Sequence, residues 1–181
     1  MASEIGVQTI QHTNGTDAIT INSSGHVHIP GSVVQLAESS WTSAFSTSST
    51  TDVAVTNATC NITPKFNDSK ILIMLSTVWG METWNLGIFS LFRGSTEIGA
   101  AGTRGAIRTL QNQVEGGSSS NSGGFGIPLN INYVDSPATT SQLTYSLKVR
   151  ADSGGPVHVG NRPQATGETV HSSLILMEIA Q

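Results

Sequence analysis

The sequence predicts an all-β protein: a two-sheet sandwich with jelly-roll topology, preceded by a β-hairpin arm. Ser and Thr make up about a quarter of the 181 residues, and there are 19 Gly, a composition that weakens helical backbone. No segment of ten or more residues shows helical spacing of apolar side chains, whereas alternation with a period of two recurs. About eight strand-like segments follow residue 32 at fairly regular intervals, a pattern typical of sandwiches.

Residues 1–31 are predicted to form an N-terminal arm, and residues 32–181 the sandwich domain. Asp17–Ile21 and His26–Ile29 flank Asn22–Gly25, whose composition is typical of a tight turn, so the segment predicts a hairpin. Pro30 and Gly31 then interrupt the pattern. We expect the arm to bind a partner through its apolar side chains, which are Ile5, Val7, Ile10, Ile19, Ile21, Val27 and Ile29.

Three segments of the domain carry the clearest strand patterns. Lys70–Trp79 is apolar on both faces, which predicts a central strand covered on both sides. Leu143–Val149 alternates apolar and polar residues, which predicts a half-buried strand. Ser173–Ala180 is predicted to be the closing strand, and the Gly- and Ser-rich segment 115–126 a flexible loop.

The composition also argues against several functional classes. Only 11% of the residues are charged and the formal net charge is −4, so we expect no nucleic-acid partner bound by a basic face. The longest strongly apolar run, Ile71–Leu75, is far shorter than a membrane span. No catalytic motif is present, so we expect neither enzymatic activity nor a cofactor. The single cysteine, Cys60, is predicted to lie in the core of a protein folded in a reducing cytoplasm.

Two small groups of residues are candidates for ligand contacts. His26 and His28 have a strand spacing that places both rings on one face, and three copies meeting on an axis would offer six imidazoles to a metal ion. The simpler interpretation, which we favour, is two polar residues on the wet face of a hairpin, with no metal. Trp84 and Phe125 are candidates for recognition at an exposed surface.

Several stretches resemble modules of tailed-bacteriophage virion proteins. Residues 9–25, TIQHTNGTDAITINSSG, resemble a short β module common near the N-terminus of tail-fibre-like and other virion proteins. A second group of segments resembles a β domain found in the same class, especially in phages of cyanobacteria and other aquatic bacteria; these segments are residues 62–66, 69–73, 91–99, 135–140, 143–145 and 174–180. The resemblance implies a non-enzymatic, homotrimeric, all-β virion component assembled in the bacterial cytoplasm.

Among structural roles, the short chain favours a capsid decoration (cement) protein, because it has no coiled-coil heptads and no long repeat from which to build a shaft. The expected partners are further copies of the chain and the major capsid protein, gripped by the arm. The alternative is a short tail-fibre or head-fibre tip that binds a host-surface glycan. A free lectin-like module is a third interpretation.

Overall fold

The structure is a computed structural model that describes residues 6–81, 87–100, 107–108, 126–152, 155–161, 167 and 169–181. Its regular elements within these ranges are all β-strands, in three antiparallel sheets. The all-β prediction is therefore confirmed. In this described part of the chain, no helix is long and apolar enough to span a membrane.

The arm forms a small sheet of its own. Its strands, in the order β1-β2-β3, are β1 (Thr9–Gln11), β2 (Asp17–Ile21) and β3 (Val27–His28). The predicted hairpin corresponds to β2 and β3, and β1 adds a third strand. Asn22 organises the β2–β3 turn, because its Oδ1 atom accepts hydrogen bonds from the backbone N–H groups of Ser24 and His26, at 3.0 and 2.9 Å.

The rest of the chain builds two sheets. Sheet 1 contains β4 (Val33–Trp41), β5 (Phe45–Thr47), β7 (Lys70–Met81), β11 (Ile127–Asp135), β13 (Val157–Val159) and β14 (Ser172–Ile179). Sheet 2 contains β6 (Val53–Ile62), β8 (Gly87–Arg93), β9 (Thr96–Ile98), β10 (Ile107–Arg108) and β12 (Leu143–Ala151).

The long strand β7 lies in the middle of sheet 1, as its sequence predicts. One edge pairs with β11, and the other pairs first with β14 and then with β13. Strand β4 pairs with β14, and β5 pairs with β13. Strands β4 and β5 therefore form the edge of sheet 1 that lies opposite β11. In sheet 2 the order is β6, β12, β8, with β9 and β10 both pairing with the far edge of β8.

The core lies between the two sheets. Ile71, Ile73 and Leu75 of β7 are buried, and they alternate with the half-buried Leu72 and Met74 on the outer face. The inner face of β7 is therefore covered, as predicted, whereas its outer face is only half-buried. Across the core, the rings of Trp79 and Phe89 meet edge to face with centroids 5.6 Å apart, which packs sheet 1 against sheet 2.

A buried polar cluster also joins the sheets. Nη1 of Arg93 on β8 donates to both carboxylate oxygens of Asp135 on β11, at 2.9 and 2.7 Å. The hydroxyl of Tyr145 on β12 donates to Oδ2 of Asp135 at 2.7 Å. Tyr145 is fully buried, and that burial, followed by the hydrogen bond and charge of Asp135, raises the pKa of its phenol far above the ordinary value.

Leu147→Ala is expected to lower the free energy of unfolding by about 2–5 kcal/mol, because Leu147 is fully buried between the sheets. Thr59→Ala on the neighbouring strand β6 is the control, since Thr59 is exposed and its loss is expected to change stability by less than about 0.5 kcal/mol. Urea unfolding measures both. Equal midpoints for the two variants would contradict the inward register of β12.

Tyr145→Phe is expected to flatten the loss of stability at alkaline pH. The raised pKa of Tyr145 means that, above about pH 10, the unfolded chain releases a proton that the folded chain retains. The stability contributed by this group is therefore complete below about pH 10 and declines above it, by at most about 1.4 kcal/mol per pH unit. Urea unfolding from neutral to alkaline pH compares the two proteins. Parallel curves would show that Tyr145 ionises equally in both states.

Candidate functional site: the N-terminal arm and its seat

The arm presents one apolar and one polar face. The strand register pairs Ile10 with Ile19 and Ile21 with Val27, which places these four side chains on one side of the arm sheet. We call this side the arm face. Ile10 and Val27 are 50% and 47% exposed, and Ile19 and Ile21 are half-buried. The opposite side carries the row Thr9, Thr20 and His28.

The polar side of the arm rests on the body. The ring of His28 meets the ring of Phe66 edge to face with centroids 4.8 Å apart, and His26 approaches the same ring at 6.3 Å. Because His28 points toward the body, the arm face on the other side of the sheet faces solvent. The arm has 31 residues, fewer than the roughly 40 below which a chain segment usually needs a partner or a crosslink to stay folded.

The root of the arm is held by a turn and by the last strand. Ile29–Ser32 forms a β-turn in which Ser32 N–H donates to the Ile29 carbonyl at 3.0 Å. Gly31 has φ of +80° in this turn, the left-handed conformation that glycine adopts most easily and that a type II turn requires after proline. Gly31 N–H donates to the Ala180 carbonyl at 2.8 Å, and Ala180 N–H donates to the Ser32 carbonyl at 3.0 Å.

Phe66, on which the arm rests, is positioned by a buried carboxylate. Glu178 of β14 is fully buried, and its Oε1 atom accepts hydrogen bonds from Lys65 N–H at 2.7 Å, Phe66 N–H at 3.1 Å and the Ser69 hydroxyl at 2.7 Å. Its Oε2 atom accepts a hydrogen bond from the side-chain amide of Gln35 on β4. Glu178 thus ties the segment 65–69 to both β14 and the edge strand β4.

Between the arm and the body runs a groove of about 420 Å³. Its lining is mixed, with apolar and polar groups; the lining residues are Gly25, His26, Val27, Ile29, Ser32, Val33, Val34 and Lys65. The groove joins the arm to the exposed edge of sheet 1, because Val33 opens β4.

The structure brings some of the sequence-predicted site residues together and leaves others apart. Ile10, Ile19, Ile21 and Val27 come together on the arm face. Val7 and Ile29 are exposed beside it, at the ends of the arm. Ile5, Trp84 and Phe125 lie outside the described residues. His26 and His28 flank Phe66, and among described residues no group of three or more His, Cys, Asp or Glu side chains is arranged to hold a metal ion.

Other candidate side chains lie in the core. Cys60 is buried, and that burial raises the pKa of its thiol, which disfavours the reactive thiolate. Trp41 and Trp79 are buried in the core as well, so neither presents its ring at the surface. The prediction that Cys60 is a core residue is confirmed.

Sequence reasoning did not find the hydrogen bonds made by Glu178. A signal was nevertheless present, because Leu174, Leu176 and Ala180 occupy the buried positions of the closing strand and Glu178 shares their alternation. A carboxylate at an inward position predicts a set of buried donors around it.

No protein-family model matches the chain, and no curated protein matches it either.

Glu178→Gln is expected to lower the free energy of unfolding by at least about 1–3 kcal/mol. The amide nitrogen that replaces one carboxylate oxygen cannot accept, so at least one buried donor loses its partner. Asp68→Asn in the same segment is the matched control, because Asp68 is exposed. Urea unfolding compares the two variants, and a Glu178→Gln protein as stable as the control would show that these donors do not depend on the carboxylate.

Proposed function

We propose that this chain is a structural protein of a phage virion: a homotrimeric capsid decoration protein whose arm grips the major capsid protein. The observation that carries the proposal is the arm face. An apolar surface on an arm too short to be stable alone is suited to being covered by a partner. The resemblance of residues 9–25 to phage virion modules supports a virion partner.

We also propose jelly-roll topology for the body, and the strand order supports it. In chain order, β4 and β5 belong to sheet 1, β6 to sheet 2, β7 to sheet 1, and β8, β9 and β10 to sheet 2. Strand β11 then returns to sheet 1, β12 to sheet 2, and β13 and β14 to sheet 1. Four strands of each sheet, in the orders β4-β14-β7-β11 and β6-β12-β8-β10, support the two layers of a jelly roll, with β5, β13 and β9 as additional strands. Viral capsid and lectin domains both use this fold.

The proposed mechanism is mechanical. A protein that binds only the assembled shell stabilises that shell by mass action. Covering the half-exposed side chains of the arm face contributes roughly 1 kcal/mol for each of them, since full burial of such a side chain is worth about 1.5–3 kcal/mol. Three arms on one trimer act together, because the binding of one arm raises the local concentration of the others.

The double variant Ile10→Ser/Val27→Ser is expected to weaken binding to capsids at least about tenfold, because it removes the two most exposed apolar side chains of the arm face. The partners are capsids of the phage that encodes the protein, prepared without it. Thr9→Ser/Thr20→Ser, on the opposite side of the same sheet, is the control. Co-sedimentation with capsids measures binding.

Two results would count against this role. Undiminished capsid binding by the Ile10→Ser/Val27→Ser variant would show that another surface makes the attachment. A wild-type protein that ignores capsids but adheres to host cells would favour the fibre-tip alternative, with glycan recognition sought at Trp84 and Phe125.

A further inference from the structure

Asn22 and His26 close the β2–β3 turn of the arm through three contacts. The N–H group of Asn22 donates to the His26 carbonyl at 3.0 Å, and the N–H group of His26 donates to Oδ1 of Asn22 at 2.9 Å. The third contact joins the two side chains, because Nδ2 of Asn22 lies 3.4 Å from Nδ1 of His26. Both residues are half-buried. The imidazole of His26 is therefore part of the turn.

The side-chain amide of Asn22 has one favourable orientation in this turn. Its Oδ1 atom accepts hydrogen bonds from two backbone N–H groups, those of Ser24 and His26, and exchanging the oxygen and the nitrogen would break both bonds. Nδ2, which can only donate, therefore faces the imidazole. For this contact to be a hydrogen bond, Nδ1 of His26 must carry no proton, so the ring is neutral with its hydrogen on Nε2.

Protonation of His26 turns this contact into one between two donors. Histidine ordinarily changes charge between about pH 5 and 8, and both nitrogens of the charged ring carry hydrogen. Asn22 cannot turn its oxygen toward the charged ring without leaving the N–H groups of Ser24 and His26 unpaired. Acid therefore removes one hydrogen bond of the turn whichever way the amide points.

The body offers no compensating negative charge to His26 within the described ranges. Lys65 lines the same groove as His26 and forms no salt bridge with another described residue. The carboxylate of Glu178 already accepts four hydrogen bonds from other groups. Asp68 is exposed, and no described hydrogen bond joins it to the ring. The part of β4 that lines the groove is uncharged. A cation at His26 therefore faces the like charge of Lys65.

The arm also rests on the body through imidazole rings. Phe66 is in contact with His28 at 4.8 Å and is approached by His26 at 6.3 Å, measured between ring centroids. Acid adds a positive charge to each of these half-buried rings, which raises the free-energy cost of keeping them away from water. The loss of the Asn22 contact and the charging of the seat thus act in the same direction.

We propose that Asn22 and His26 make the seating of the arm pH-dependent: the arm is held on the body while His26 is neutral and is loosened when His26 is protonated. The sandwich itself stays folded over the same range of pH. The consequence for capsid attachment rests on the proposed function, whereas the pH-dependence is a property of the isolated chain and is tested without capsids.

Hydrogen exchange of the purified full chain, followed by mass spectrometry at about pH 7.5 and about pH 5, is the first test. The rates are corrected for the intrinsic effect of pH on exchange. Backbone amides that donate within the arm, those of Ile21, Asn22 and Gly25, are expected to lose protection at least about tenfold in acid. The amides of β7 and β14 are expected to keep theirs and serve as the internal reference.

Two variants assign the effect to the pair. His26→Gln removes the ionisable ring and is expected to abolish the acid-dependent loss, whereas the control His171→Gln, at an exposed position on the body, is expected to retain it. Asn22→Asp keeps an acceptor for both backbone N–H groups and offers a second oxygen to the protonated ring. In that variant the arm is expected to be protected in acid at least as well as at neutral pH.

A wild-type arm protected equally well or better in acid would overturn the proposal, since it would mean that Phe66 accommodates the charged rings through cation–π contacts. Acid-dependent loosening that persists in His26→Gln, or that is unchanged in Asn22→Asp, would overturn it as well. Failure of capsid binding would contradict only the proposed function, because neither measurement involves the shell.

Discussion

The buried carboxylate of Glu178 is the constraint on which the outer features of this molecule depend. Burying a charged group away from solvent costs free energy, and no cation among the described residues forms a salt bridge with Glu178. Instead, donors from two other segments converge on it: the amide of Gln35 on one oxygen, and two backbone N–H groups with the Ser69 hydroxyl on the other. Such a network is stabilising only when it is complete, so all the contributing segments are held in one arrangement.

The arm and the edge strand β4 both depend on that arrangement. Phe66 supports the arm because its backbone N–H is bound to Glu178, and the arm is thereby held with its apolar face outward. Gln35 lies on β4, so the same carboxylate also holds this edge strand of sheet 1. The core between the sheets supplies stability, whereas the arm face has the composition of an interface. The proposed virion role assigns the arm face to the shell.

Local patterns predicted strands well where apolar and polar residues alternate strictly along the segment. Leu143–Val149 alternates along its whole length, and the structure buries Tyr145, Leu147 and Val149 on one side. The prediction for β7 was right about its central place but wrong about the outer face. An apolar outer face in the sequence does not distinguish a strand covered by a second layer from one whose outer side chains are only half-buried, as Leu72 and Met74 are.

The donors around Glu178 could not be predicted from local pattern, because Gln35, Lys65 and Ser69 lie more than 100 residues away in sequence. Only the sandwich brings them together. The apolar residues of the arm were identified from sequence, but their common face required the register of β1 against β2, which includes a bulge between Ile10 and Gln11. Trp84 and Phe125, outside the described ranges, stay predictions.

The central claim is that the arm face is the attachment surface. Cryo-electron microscopy of capsids carrying this protein tests it most directly, because the map shows which surface of the protein meets the shell. The account predicts that the major capsid protein covers Ile10, Ile19, Ile21 and Val27, with the sandwich standing above the arm. A map in which the arm face points to solvent while another surface contacts the shell would contradict it.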